Sequence, residues 1–131
     1  MEAGVRMITS LGNATVVVKD LNKSLRFFRD KIGLRLAFYD KPNKWVCFDA
    51  GRMAFSLTTP WNRESKKLLG RRTSLSFFTD DIEKTVKSLK KKRVKFTIEP
   101  HKRSWGGMLA AFQDIEGNSY FLLQMPSGFD K

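Results

Sequence analysis

The chain has one cysteine and one histidine among 131 residues, and each scarcity removes a class of function. A lone Cys47 cannot form an internal disulfide or a redox pair, so it reads as a free structural thiol in a reducing compartment. With His101 as the sole imidazole, a Ser-His-Asp set has no convincing members and a histidine-rich metal centre is not available. No apolar run is long enough to span a bilayer, and no signal-peptide pattern opens the chain. The expectation is a soluble cytoplasmic protein with no membrane partner. Acidic residues are also short: 13 Asp+Glu stand against 25 Lys+Arg, leaving a formal charge of +12. Such a balance attracts nucleic acid, an anionic metabolite or an acidic partner, or else marks a heavily solvated surface.

What the chain does have is a repeat. Residues 16–28 read VVVKDLNKSLRFF and residues 77–89 read FFTDDIEKTVKSL. Setting Asp20 against Asp81 places Leu21 on Ile82, Ser24 on Thr85, Leu25 on Val86 and Phe28 on Leu89. Each copy is an apolar strand, an acidic helix start and apolar residues at helical spacing. The spacing predicts strands over 14–18, 34–39, 45–49 and 53–58, and a helix that starts after Asp20 and ends at Gly33. The second copy predicts strands over 73–79, 94–98, 108–113 and 119–124, a helix over 81–92, and a long loop from Pro100 to Gly107. Asp80 with Glu83 offers a capping-box-like start for the second helix. The domain reading is one domain over residues 1–131: module one at about 6–60, a polar linker at 61–72 and module two at about 73–126. Residues 6–12 lead into the first strand, and the tail after Pro126 is expected to fray.

The strand-Asp-Leu-x-x-Ser start with Phe27-Phe28 and Gly33-Leu34 carries a resemblance. So do Thr79-Asp80-Asp81-Ile82, Trp105-Gly106 and the turn Asp114-Ile115-Glu116-Gly117-Asn118. Their order resembles the glyoxalase/bleomycin-resistance/dioxygenase superfamily, also called the vicinal oxygen chelate fold. The resemblance implies an α+β fold of two β-α-β-β-β modules that form a cupped mixed sheet. It also implies a homodimer.

Metal-dependent members of that family place His or Glu at four inward positions. Carried over by motif, these are Asn13, Ser56, Ser74 and Phe121. None supplies imidazole, thiolate or carboxylate, the donors a divalent transition metal needs. The reading is therefore of no metal and no cofactor, with catalysis uncertain and disfavoured.

Alternation along the strands then sets Asn13, Thr15, Ser56, Thr58, Ser74, Ser76, Phe78, Phe121 and Leu123 on the concave face, with Trp105 at its rim. Hydroxyls, an amide and aromatic rings suit a ligand pocket. The expected function is binding of a small aromatic or anionic molecule in the cup. Two alternatives stand beside it. One is an enzyme of the same superfamily, of lyase, isomerase or dioxygenase type, with an unrecognised metal or a metal-independent mechanism. The other is a basic nucleic-acid-interacting protein. Nucleic acid is the disfavoured partner, because Lys84, Lys87 and Lys91 on the second helix have no interleaved aromatics. Asp49, Asp114 and Glu116 are read as solvated turn residues.

Overall fold

Strand alternation in each module is answered by a separate four-stranded sheet. The computed structural model describes residues 7–8 and 11–128, so the expectations for 6–12 and for the tail lie partly outside the described residues. Module one contains β1 (Asn13–Val17), α1 (Leu21–Arg26), β2 (Arg35–Asp40), β3 (Trp45–Asp49) and β4 (Ala54–Thr58). A short helix, α2 (Arg63–Lys66), follows. Module two contains β5 (Arg72–Phe78), α3 (Ile82–Lys91), β6 (Lys95–Lys102), β7 (Met108–Gln113) and β8 (Ser119–Gln124). The sheet orders are β1-β4-β3-β2 and β5-β8-β7-β6. The first pair in each is parallel and the others are antiparallel, so both sheets are mixed as the fold expectation required.

The repeat is visible in the helix starts. Asp20 accepts from Lys23 N at 3.0 Å and Asp81 accepts from Lys84 N at 3.1 Å. Asp81, not Asp80, is the second cap. The reason is that Asp81 holds the extended backbone required one residue before the first turn. Past α1, the helix widens into a π-helical stretch, Phe27–Ile32, closed by Gly33 at φ 88°. The wider turn lets two consecutive residues, Phe27 and Phe28, both reach the interior. The linker region also differs from expectation. Asn62 and Ser65 form a reciprocal capping box, which nucleates α2. Strand β6 runs on through Pro100 and His101 to Lys102 where a loop was expected. It keeps its pairing with β7 by two register shifts.

Both helices lie on the same side of their sheets as the core. Phe28 is fully buried and meets Phe48 and Phe55 of sheet one and Phe77 and Tyr120 of sheet two. Phe55 also meets Phe77 at 5.4 Å between ring centres. This ring cluster joins the modules through the faces that carry the helices. The opposite face of each sheet is left outside it.

Candidate functional site

Cross-strand neighbours share a face, so the registers define that opposite surface row by row. In sheet one, Thr15, Ser56, Cys47 and Phe38 stand side by side, next to the row Val17, Thr58 and Trp45. In sheet two, Ser76, Phe121, Ala111 and Ile98 form one row, and Phe78, Leu123, Leu109 and His101 the next.

The structure brings Asn13, Thr15 and Ser56 into direct contact. Ser56 is fully buried and its hydroxyl donates to Asn13 Oδ1 at 2.8 Å. The Asn13 amide then donates to Thr15 Oγ1 at 3.0 Å. Parallel pairing of β1 with β4 sets these three together. Thr58 lies one row away and donates to a backbone carbonyl at 3.2–3.3 Å. Ser76, Phe78, Phe121 and Leu123 assemble on sheet two. Ser74 is on the same exposed side of β5, at a register irregularity where its own φ is +59°. Trp105 folds flat onto Gly107, so closely that a Cβ on Gly107 would collide with the indole. Its outer surface stays in solvent.

Three large apolar side chains on these rows are uncovered: Phe38 at 54% exposure, Phe78 at 49% and Ile98 at 39%. Phe38 packs only sideways, against Trp45 at 5.7 Å. A cavity of about 560 Å³ opens at the seam between the sheets, lined by Ala14, Phe55, Leu75, Ser76, Phe77 and Phe78, with Asp49 and Arg52 at its mouth. It therefore takes in two of the expected ligand residues, Ser76 and Phe78.

Sequence reasoning missed Phe38, Cys47, Leu109, Ala111, Ile98 and His101 as members of this face. They lie on the strands that carry none of the family's ligand positions. Carrying the same alternation across β2 and β3 would have found Phe38 and Cys47. His101 was read as a loop residue. It instead occupies a β6 position, where its Nδ1 lies 3.0 Å from Glu99 O and Arg103 approaches its Nε2 at 3.3 Å.

Two residues read as solvated turn carboxylates are structural. Asp114 is 6% exposed. It accepts from Glu116 N, Asn118 N, the Asn118 amide and the Tyr120 hydroxyl, at 2.7–3.0 Å. Burial, with the Asp114 charge and hydrogen bond behind it, pushes the Tyr120 phenol far above its usual range. Glu116 reaches across the modules, and its carboxylate accepts from Lys19 N and Asp20 N at 2.6 Å each. The Asp114 contacts hold the turn of module two together, and the Glu116 contacts tie that turn to module one.

The donor set does not fit a divalent metal. Among the described residues no three His, Cys, Asp or Glu side chains come together. The four positions the family uses carry an amide, two hydroxyls and a ring. Among the described residues no helix is long and apolar enough to cross a membrane.

The comparisons agree with this geometry. The family model for the Glyoxalase/Bleomycin resistance protein/Dioxygenase superfamily matches residues 10–120. The uncharacterised protein YraH of Bacillus subtilis (strain 168) is 29% identical over 120 residues, covering 84% of this chain and 94% of that protein. A crystal structure of a superfamily member from Sphaerobacter thermophilus DSM 20745 is similar with TM-score 0.81 and 31% identity, over 90% of this chain and 98% of that one. TnmS3, an antibiotic binding protein from Streptomyces sp. CB03234, shares the fold at TM-score 0.77 and 24% identity, over 94% of this chain and 100% of its own. The match over residues 10–120 and the paired β-α-β-β-β modules lead to one conclusion: this chain belongs to the glyoxalase/bleomycin resistance protein/dioxygenase superfamily.

Proposed function

We propose that this chain binds a small aromatic molecule on the open faces of its sheets, in a cup completed by a second copy. One observation carries the reading: the middle rows of these faces combine uncovered rings with short, uncharged polar groups. Phe38, Phe121, Phe78 and Ile98 supply apolar contact, and Asn13, Thr15 and Ser76 supply hydrogen bonds at the edges. That is the make-up of a small-molecule site. The middle rows hold no carboxylate and no amine, so of the aromatic and anionic ligands expected, the aromatic one is favoured. Their titratable groups, Cys47 and His101, belong to different sheets and form no acid–base pair with each other, so binding is favoured over catalysis. The antibiotic-binding relative TnmS3 lends support by fold alone.

The second copy follows from the exposure of Phe38, Phe78 and Ile98. Large apolar side chains left half-exposed along edge-rich sheets favour burial against a symmetric mate. The test is a thermal-shift screen of planar aromatic compounds, then calorimetry on the hits. Phe121→Ala is expected to weaken binding by about 1–3 kcal/mol, the range for losing one buried aromatic contact. Hits that bind Phe121→Ala as tightly as wild type would place the ligand elsewhere. Sedimentation at micromolar concentration is expected to give a dimer, and a monomer would remove the second copy.

A further inference from the structure

The charge that the cup lacks is gathered behind it. A groove of about 1440 Å³ runs on the helix-covered side of module one, between α1, the β2–β3 turn and the turns at Leu69–Gly70 and Ile115–Glu116. Six cations line it: Lys19, Lys23, Arg26, Lys31, Lys41 and Lys44. None of the six is within ion-pair distance of a carboxylate among the described residues. The groove's three carboxylates are already committed. Asp20 accepts from Lys23 N, Asp30 is paired with Arg29, and Glu116 holds two backbone amides. At one end Lys92 Nζ, just past α3, donates to the Lys31 carbonyl at 3.5 Å.

From this geometry we infer that the groove binds the phosphate backbone of a duplex nucleic acid without reading its sequence. Six cations against three carboxylates leave the concave walls net positive, which concentrates the field there, whereas Lys84, Lys87 and Lys91 stand on an exposed helix face. Five of the six cations are lysines, point charges suited to phosphates rather than to bidentate base contacts. A single strand would need rings to stack on. Here Phe27 is buried and the Tyr39 hydroxyl is tied to Asn22 at 2.9 Å. A net charge of +12 opposes a second copy of this chain in the groove.

The experiment is fluorescence anisotropy with a labelled duplex of about 20 base pairs, titrated at several salt concentrations between about 50 and 200 mM. Six neutralised phosphates predict a slope of log K against log salt of about −5, or roughly a thousandfold loss over that range. Lys23→Gln/Lys41→Gln/Lys44→Gln is expected to bring the slope to about −3, since each lost phosphate contact removes about one unit. Lys84→Gln/Lys87→Gln/Lys91→Gln removes the same charge from α3 and is expected to leave the slope unchanged. All six lysines are exposed, so both variants should fold. Equal losses in the two variants would overturn the inference, since binding would then follow net charge alone. So would a wild-type slope shallower than about −2. A single strand or a polyglutamate peptide that displaces the duplex at equal charge concentration would overturn the choice of occupant.

Discussion

The turn before the last strand of module one and the turn before the last strand of module two occupy equivalent places and do opposite things. In module one, Asp49 accepts from Gly51 N at 3.1 Å and faces Arg35 at 3.5 Å in a largely exposed pair. In module two, Asp114 is buried and holds four donors, while Glu116 caps the approach to α1 in the other module. The helices differ in the same sense. Leu89 of α3 is a buried aliphatic side chain, whereas its counterpart Phe28 touches rings from both sheets. Module one thus contributes the central ring and module two the polar clamp. One supersecondary unit, used twice, has specialised its copies to hold each other.

Removing the central ring is expected to have the largest effect. Phe28→Ala should cost about 3–5 kcal/mol, the range for a fully enclosed aromatic, because the cavity lies between both sheets and neither can close over it alone. Leu89→Ala, at the equivalent place in α3, should cost less, about 2–3 kcal/mol, since the smaller side chain leaves the smaller cavity. Urea unfolding of both variants measures the difference. Equal costs would mean that the helices contribute symmetrically and that the comparison fails.

The clamp comes next. Asp114→Ala leaves two backbone amides, the Asn118 amide and the Tyr120 hydroxyl without their acceptor in a buried site. The expected cost is about 2–4 kcal/mol, within the range for stranded buried donors. Asp49→Ala should stay within about 1 kcal/mol, because an exposed ion pair contributes little. A large loss at Asp49 would show that the two turns are alike in energy despite their different burial.

Much of this was legible in the sequence because it rests on short-range pattern. Apolar alternation placed all eight strands, and the Asp–Leu/Ile starts placed both long helices. That Asn13, Thr15 and Ser56 share a face was legible because they lie on strands bearing motif positions, and face follows from period two. What stayed hidden depends on distant partners. Nothing local says that Glu116 will cap a helix that starts 95 or so residues earlier, or that Asp114 will be buried under Tyr120. The π-helical stretch was invisible because two adjacent Phe residues fit an ordinary helix pattern, and only the folded core shows both of them buried. Basic residues that looked scattered in sequence met in one groove only once the β2–β3 turn folded over α1.

The smallest expected effect isolates one hydrogen bond of the clamp. Tyr120→Phe keeps the ring and removes only the hydroxyl that donates to Asp114 at 2.7 Å, so near neutral pH it should cost about 1 kcal/mol. Its distinguishing signature is alkaline. In the folded chain the Tyr120 phenol is held neutral far above its ordinary value of 10.0, first by burial and then by Asp114. In the unfolded chain it ionises near that ordinary value. Its contribution is therefore complete below about pH 10 and declines as pH rises further, because only the unfolded state then gives up the proton. By about pH 11 wild type should have lost roughly 1 kcal/mol more than Tyr120→Phe relative to pH 9, measured by urea midpoints at each pH. Parallel pH profiles would mean that Tyr120 ionises in the folded state. The module-two turn would then be as open to water as the turn at Asp49, and the contrast between the two modules would narrow to the ring of Phe28.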